Sequence, residues 1–184
     1  MSHFERYTTQ YQWLTNGKFE CQLMRMACLI IIISLFGCQK PKQARLDAVN
    51  YEALKSVIEK NDNKLYVVNF WATWCKPCME ELPHFLEVDE QFSKNKNYEM
   101  ILVSLDKSSN LNVGVANVVR TMAITPDVLL LDDAKRMNEW IPAINEKWSG
   151  SIPATALYKN GIQLSFKEGK LTKQELETLI HKHI

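Results

Sequence analysis

The feature that most restricts the fold is an alternation between continuous apolar runs and segments with helical periodicity. Residues 65–72 (LYVVNFWA) and 98–106 (YEMILVSLD) are largely apolar at successive positions, with many β-branched and aromatic side chains. Such runs are typical of strands that are covered on both faces. Residues 76–94, between the two runs, repeat apolar side chains at helical spacing. The order strand, helix, strand predicts two parallel strands joined by a crossover helix.

Further elements are predicted on both sides of this unit. Apolar spacing predicts a helix over 46–60, a short helix over 116–124 and a strand or extended segment over 127–133. Residues 134–148 are expected to be helical in part, with a break at Pro142, because proline cannot donate the backbone hydrogen bond of a helix interior. This succession favours one sheet with helices packed on it.

The C-terminal part is predicted to be a hairpin followed by a helix. Residues 154–166 form two strand-like runs around an Asn-Gly dipeptide at 160–161, which is preferred in tight hairpin turns. Residues 171–183 are amphipathic, with Thr172 as the expected N-cap and Glu175 three residues later, as in a capping box. The hairpin adds antiparallel strands to the parallel core. The expected fold is therefore α/β, a mixed central sheet flanked by helices.

Composition sets limits on the class of protein. The chain has 184 residues, of which 46% are hydrophobic, enough for the core of one ordinary domain. The net charge is +1 and no long basic run occurs, so nucleic acid is not an expected partner.

Residues 24–38 (MRMACLIIIISLFGC) have the pattern of an export signal. A positive charge at Arg25 precedes an apolar stretch over 26–36, then a small residue and Cys38. The stretch is far shorter than the roughly 20 residues that a spanning helix needs. The ending LFGC resembles a bacterial lipobox, which implies that Cys38 is lipidated. A buried strand or helix is the alternative for this stretch, but the polar run QKPKQAR that follows argues against it.

This signal defines the expected organisation of the chain. Residues 1–37 are expected to be an N-terminal extension and a lipoprotein-type signal peptide, with translation starting at Met24 or Met26. Residues 38–45 are expected to be a polar tether, and residues 46–184 the thioredoxin-like domain that the resemblance described below implies.

A lipid on the first residue would anchor the domain to a membrane without a membrane span. It would also place the domain in the cell envelope, facing the periplasm or cell exterior, where disulfides persist. Gln39 stands where an aspartate would be expected for retention in the inner membrane, which favours the outer membrane in a Gram-negative cell.

Cys75 and Cys78 stand between the first apolar run and the helix that follows it. A helix N-terminus carries about half a positive charge and unpaired N–H groups, so it stabilises a thiolate placed there. Cysteines in such places are ionised at a lower pH than free cysteine. Lys76 adds a nearby cation, and Pro77 is tolerated in the first helical turn, where it fixes the geometry between the thiols.

The two cysteines are expected to have different roles. Cys75, at the end of the strand and on the exposed lip, is the expected nucleophile. Cys78 is expected to point inward and to resolve a mixed disulfide by attacking Cys75. Glu81 is three residues further on the same helical face, where a partly buried carboxylate would have a raised pKa and act as a base. The alternative is that Glu80 and Glu81 are acids that only complement the helix dipole.

Zinc is the main alternative for a cysteine pair. Structural zinc usually takes four ligands from two such pairs or from a pair with histidines. The sequence has no second pair in the predicted domain, and its histidines, His3, His84, His181 and His183, are poorly placed. We therefore expect no metal and no cofactor other than the redox-active Cys75–Cys78 disulfide.

The segment VVNFWATWCKPCMEELP (67–83) resembles the active-site segment of the thioredoxin superfamily, specifically of TlpA/ResA-type exported thiol–disulfide oxidoreductases. The resemblance implies a mixed sheet flanked by helices over most of residues 46–184. It places the active-site glutamate of the family on Glu81 and its cis-proline on Pro153. It also implies a groove for client proteins, in which the backbone of Ile152 pairs with a bound peptide. The groove residues are expected to be Trp74, Lys76, Pro77, Ile152 and Pro153.

One position departs from cytoplasmic thioredoxins. They carry a buried aspartate six residues before the first cysteine, and Asn69 stands there in this chain. An amide cannot titrate, so proton handling falls to Glu81 or to water. Trp140 and Trp148 are candidates for the groove, although a large aromatic residue near a core is more often part of the core.

The resemblance implies a reductase of disulfides in exported client proteins, for instance in cytochrome c maturation or redox homeostasis. It also implies an upstream membrane protein that donates thiols. Two alternatives stay open: a peroxiredoxin-like peroxide reductase, for which the sequence lacks a matching threonine-and-cysteine arrangement, and a non-catalytic metal chaperone or adaptor.

Overall fold

The structure is a computed structural model and describes residues 44–184. The strands are β1 (Leu46–Val49), β2 (Leu65–Trp71), β3 (Tyr98–Ser104), β4 (Asp127–Leu131), β5 (Ala154–Lys159) and β6 (Ile162–Glu168). The α-helices are α1 (Tyr51–Ile58), α2 (Lys76–Phe92), α3 (Ala116–Thr121), α4 (Met137–Ile144) and α5 (Lys173–His183). A 3-10 turn (Ser108–Asn110) and a π-helical turn (Leu111–Val115) precede α3.

The six strands form one mixed sheet in the order β1-β4-β3-β2-β5-β6. The first four strands of this order are parallel to one another. β5 is antiparallel to β2, and β6 is antiparallel to β5, so β6 runs in the same direction as the first four strands. All seven residues of β2 are buried, as its uninterrupted apolar run predicts. The mixed sheet, the crossover from β2 to β3 and the C-terminal hairpin are therefore present as predicted.

Alternate residues of the strands supply two hydrophobic layers, one on each face of the sheet. On one face, Val67 and Leu102 pack with residues of α2 and α5, including Phe85 and Leu176. On the other face, Val68 and Phe70 pack with residues of α1 and α4. The period of two along each strand thus decides which helices cover which face.

The predicted helix over 46–60 is wrong in its first third. Residues Leu46–Val49 form the edge strand β1, which pairs in parallel with β4 from Leu46 opposite Val128 to Val49 opposite Leu131. The helix begins only after Asn50, whose side chain accepts the backbone N–H of Ala53 at 2.9 Å. Four residues are too few to separate helical from strand periodicity, and the pairing with a distant strand decided the outcome.

The predicted break at Pro142 is also wrong. Pro142 lies inside α4, which continues to Ile144. Trp140 and Ile144 are buried against the sheet, and the indole N–H of Trp140 donates to the backbone oxygen of Asp133 at 2.8 Å. These tertiary contacts hold the short helix despite the hydrogen bond that proline cannot make.

The predicted signal segment, the lipidation site Cys38 and most of the expected tether lie outside the described residues. Of the tether, Ala44 packs against the first hydrophobic layer, and the carbonyl of Arg45 accepts the N–H of Val128 at 2.8 Å. Within residues 44–184, no helix has both the length and the apolar character that crossing a membrane requires.

The C-terminal helix begins with the predicted capping box. Thr172 Oγ1 accepts the backbone N–H of Glu175 at 3.2 Å, and Glu175 Oε2 accepts the backbone N–H of Thr172 at 2.8 Å. The cap also fixes the backbone immediately after Leu171.

We expect Thr172→Ala to lower the free energy of unfolding by about 1 kcal/mol, the usual loss when an N-cap hydroxyl is removed. Urea unfolding followed by circular dichroism measures this change. Thr178→Ala is the matched control, because Thr178 lies on the same helix and its hydroxyl donates only to the carbonyl of Gln174. Equal losses in the two variants would show that the box does not stabilise α5.

Candidate active site

The cysteine pair lies at the junction of β2 and α2. Cys75 is the N-cap of α2, and its Sγ lies 3.3 Å from the backbone nitrogen of Cys78, whose N–H points at it. Cys75 and Cys78 form a disulfide, with their Cα atoms 5.3 Å apart. The sequence therefore placed the pair correctly at a helix N-terminus, and Pro77 lies in the first turn of that helix.

Exposure around the pair is uneven. The side chain of Cys75 is 5% exposed, so in the disulfide form it does not lie on an open lip as the sequence suggested, although it is less covered than Cys78 at 1%. Trp74 is 68% exposed, and Lys76 and Pro77 are also exposed. These three side chains therefore form the accessible surface next to the first cysteine.

The segment before β5 brings the predicted groove residues next to Cys75. The peptide bond between Ile152 and Pro153 is cis. The carbonyl oxygen of Ile152 lies 3.6 Å from Cys75 Sγ, and Trp148 donates its indole N–H to the carbonyl of Ser151 at 2.8 Å. The structure thus brings together two segments that are 77 positions apart in the chain.

Glu81 lies behind the pair and is 1% exposed. Its Oε1 accepts the side-chain N–H of Asn69 at 2.9 Å, and its Oε2 accepts the backbone N–H of Leu171 at 3.0 Å. Burial raises the pKa of Glu81, while these two hydrogen bonds and the charge of Lys170 act in the opposite direction without cancelling it. A buried carboxyl with a raised pKa, one helical turn from Cys78, is suited to accept and return a proton.

Asn69 takes part in this arrangement as a donor. Its side-chain N–H groups reach both Glu81 and the hydroxyl of Thr155, at 2.9 and 3.2 Å. Asn69 lies on β2 and Thr155 on β5, so the buried polar contact spans the antiparallel strand pair. The amide orients Glu81 and leaves that carboxyl as the group that titrates there.

Trp140 and Trp148 belong to the core. They are 2% and 5% exposed, and their ring centroids are 5.9 Å apart. Trp148 also packs against Phe70 and Phe166. Neither side chain is available to line a groove, and the contribution of Trp148 to the site is its hydrogen bond to Ser151.

Sequence reasoning missed Asp106, which holds the loop before Cys75. Its buried carboxylate accepts four hydrogen bonds, from the backbone N–H and hydroxyl of Thr73, the hydroxyl of Ser104 and the amide of Asn110. Burial by itself would raise the pKa of Asp106, but these hydrogen bonds outweigh it and lower the pKa. The aspartate directly after the apolar run of β3 was the available signal, because strand ends meet at one sheet edge.

Within the part of the chain that the structure describes, no group of three or more His, Cys, Asp or Glu side chains is arranged to hold a metal ion. The residues gathered at the junction are instead a disulfide, a buried carboxyl group and a buried amide.

A sequence model of the AhpC/TSA family matches residues 44–163, well over half of the chain. The chain belongs to the AhpC/TSA family. The thiol-disulfide oxidoreductase ResA from Bacillus thuringiensis (strain Al Hakam) is 28% identical over 153 residues, covering 80% of this chain and 82% of that protein. The thioredoxin-like protein YneN from Bacillus subtilis (strain 168) is 27% identical over 124 residues, covering 67% of each chain. The resemblance to ResA-type proteins seen in residues 67–83 is confirmed.

Solved structures agree on the fold of this AhpC/TSA family member. StoA from Bacillus subtilis matches with a TM-score of 0.53 and 23% identity, over 65% of this chain and 84% of StoA. A thiol:disulfide interchange protein of the thioredoxin family from Chlorobium tepidum TLS matches with a TM-score of 0.55 and 22% identity, over 78% of this chain and 97% of that protein. The predicted thioredoxin-like fold is confirmed.

We expect Asp106→Ala to lower the free energy of unfolding at pH 7 by about 2 to 3 kcal/mol. The substitution removes the charged acceptor and leaves the N–H and O–H groups that donate to it without a partner. The contribution is tied to ionisation. A lowered pKa in the folded protein means that the stabilisation is full above about pH 4, the unfolded value, and is lost as the pH falls through the folded value.

Urea unfolding of both proteins between pH 7 and pH 3 measures this difference. Asp132→Ala, at an exposed position in the β4–α4 connection, is the control and should change stability by less than about 0.5 kcal/mol. A loss in Asp106→Ala that stays constant down to pH 3 would contradict the role of the ionised carboxylate.

Proposed function

We propose that this protein is a thiol–disulfide oxidoreductase that reduces disulfides of exported client proteins through Cys75 and Cys78. The observation that carries the proposal is the position of Cys75 as the N-cap of α2, with the Cys78 N–H directed at its sulfur. The same N–H and the helix dipole stabilise a thiolate once the disulfide is reduced. ResA-type relatives that match four fifths of the chain are named thiol-disulfide oxidoreductases.

The reaction follows from the two sulfurs. In the reduced protein, the Cys75 thiolate attacks one sulfur of a client disulfide, and the other client sulfur leaves as a thiolate that takes a proton from water. Cys78 then loses its proton and attacks Cys75 Sγ, which releases the second client thiol and restores the 75–78 disulfide. Two electrons pass from the protein to the client. An upstream dithiol donor then reduces the 75–78 disulfide by thiol exchange, is itself oxidised to a disulfide, and so restores the two thiols for the next turnover.

Glu81 is the group that takes the proton from Cys78. The two residues are three positions apart on α2 and both are 1% exposed, so bulk water is a poor acceptor there. The raised pKa of Glu81 brings its titration closer to that of a thiol, which is the condition for efficient proton transfer. Asn69 and the Leu171 N–H hold the carboxylate in place.

The client would bind where Trp74, Lys76 and Pro77 meet the Ile152–Pro153 segment. Trp74 is 68% exposed, an unusual position for a large aromatic residue, and aromatic residues are enriched at binding surfaces. Ile152 precedes β5 and offers backbone groups beside Cys75, as in recognition by strand addition.

The reductase direction and the location in the cell envelope are parts of the same proposal. The signal-like segment 24–38 supports export, and the lipobox-like LFGC supports a lipid anchor on Cys38. We accordingly place the membrane that holds the anchor, and the upstream thiol donor, in the cell envelope. The mass of the mature N-terminus from a membrane fraction tests the anchor, since an unmodified N-terminus upstream of residue 38 would contradict it.

Alkylation of Cys75 tests the central claim. In reduced Cys78→Ser protein, we expect the rate of iodoacetamide reaction to reach half its maximum well below about pH 8.5, the midpoint of free cysteine. The physical reason is the N-cap position of the sulfur. A pH dependence equal to that of N-acetylcysteine in the same buffer would contradict a catalytic thiolate.

Capture of clients separates an enzyme from an adaptor. We expect Cys78→Ser to accumulate client proteins bound by disulfides to Cys75, because the resolving sulfur is absent, and Cys75→Ser to capture none. Non-reducing electrophoresis of envelope extracts, with release by dithiothreitol, measures this. Equal capture by both variants would indicate binding without thiol exchange.

The peroxide-reducing alternative is disfavoured by the position of Thr73, two residues before Cys75. Its hydroxyl donates to Asp106 at 2.6 Å and accepts the amide of Asn110 at 3.2 Å, so it is engaged away from the cysteine. Faster oxidation of the reduced protein by hydrogen peroxide than by a protein disulfide would favour that alternative.

A further inference from the structure

A second cleft lies beside Glu81. A cleft of about 480 Å³ lies between the first turns of α2 and the segment that joins β6 to α5. Its lining includes Glu80, Glu81, His84, Lys170 and Thr172. Trp74 and Ile152, which we assign to client binding, are not part of this lining, so the cleft lies on a different side of Glu81.

An ion pair lies at this cleft. Lys170 Nζ lies 2.7 Å from Glu80 Oε2, and about half of each side chain is exposed, 48% and 49%. The pair links residues that are direct chain neighbours of the buried contact, since Glu80 precedes Glu81 and Lys170 precedes Leu171, whose N–H binds Glu81 Oε2. The Lys170–Glu80 ion pair therefore joins the same two chain segments as the buried hydrogen bond between Leu171 and Glu81.

The groups facing Glu81 differ in charge from one element to the next. From α2 come Glu80, His84 and the disulfide-bonded Cys78, and from β2 and β5 come the neutral side chains of Asn69 and Thr155. From the β6–α5 segment comes Lys170, and from α5 comes Lys173, whose ammonium is paired with Glu87 at 2.8 Å. Burial raises the pKa of Glu81, and the charge of Lys170 acts in the opposite direction.

We propose that this cleft connects Glu81 with solvent, and that Lys170, held by Glu80, is a positioning residue that adjusts Glu81 for taking the proton of Cys78. The inference rests on the function proposed above. In the resolving step, the proton of the Cys78 thiol passes to the Glu81 carboxylate while the Cys78 thiolate attacks Cys75. The Glu81 carboxylic acid then releases that proton to water in the cleft, and Lys170 favours the ionised carboxylate that is ready for the next turnover.

Titration of Glu81 in the oxidised protein tests the proposal without any turnover. Neither cysteine titrates in the disulfide form, so thiol ionisation does not disturb the measurement. The ¹³Cδ resonance of labelled Glu81, assigned by its loss in Glu81→Gln, reports the ionisation of this carboxyl group. We expect Lys170→Met to raise the titration midpoint by about 0.5 pH unit, as one partly exposed cation contributes. Lys170→Arg should restore the wild-type midpoint, because it keeps the charge.

The partner variant should act with the opposite sign. Glu80→Gln removes an anion and leaves Lys170 without its partner, so the midpoint of Glu81 should fall by a similar amount, about 0.5 pH unit. Both shifts should shrink in 1 M salt, because charges that act through a water-filled cleft are screened. Glu59→Gln is the control. It breaks another ion pair, between Glu59 and Lys55 of α1, and neither residue lines the cleft.

A merely structural role for the Lys170–Glu80 pair predicts something else. Both variants would then loosen the β6–α5 segment alike, and the titration of Glu81 would move in one direction or not at all. Either result overturns the proposal. Shifts of the Glu81 midpoint that are as large in 1 M salt as at low salt would overturn it as well.

Kinetics then connect the pair with catalysis. The rate of client release from the Cys75 mixed disulfide is measured in a single turnover as a function of pH. In Lys170→Met, the midpoint of this pH profile should move to higher pH, as the titration midpoint of Glu81 does. A shifted titration with an unshifted release profile would overturn the role in proton transfer. If the wild-type protein showed no thiol exchange at all, the proposed function itself would be refuted. Failure of the proposed function is therefore distinguishable from failure of the role of Lys170.

Discussion

The start of α2 directly after β2 is the constraint on which the rest of the site depends. β2 is buried along its whole length, so its end is fixed at the edge of the sheet. The backbone N–H of Cys75 donates to the carbonyl of Ala72 at 3.1 Å, and the helix begins at the next residue. Because the positions of the strand end and of the first helical turn are both fixed, the sulfur of the N-cap residue lies beside the unpaired N–H groups of the helix.

Three distant segments complete what this junction begins. Asp106, after β3, ties down Thr73 and with it the loop that leads into Cys75. The Ile152 carbonyl approaches Cys75 from the segment before β5, and the Leu171 N–H reaches Glu81 from the segment before α5. Each comes from a loop at the end of a strand or before a helix, as is usual for functional groups on a rigid scaffold.

Placing Glu81 inside the protein is an energetic compromise. Burial disfavours its ionised form, and a carboxyl group with a pKa raised by folding makes the folded state less stable as the pH rises through that range. Two hydrogen bonds offset part of this cost, and a cleft that Lys170 also lines lies beside the residue. An apolar residue would pack there without such a penalty, which supports the role in proton transfer that we propose for this carboxyl group.

The sequence alone determined the features that depend on neighbouring residues. The buried strand β2, the helix that starts at the Cys75–Cys78 pair, the Asn-Gly hairpin and the capping box at Thr172 are all encoded within a few positions, because periodicity, turn and cap preferences are local. Only the tertiary structure decided that residues 46–49 join the sheet edge, that α4 continues through Pro142, and that Trp148 belongs to the core. It also brought Asp106 to Thr73 and Leu171 to Glu81, since hydrogen bonds between residues 33 and 90 positions apart leave no periodic trace in the chain.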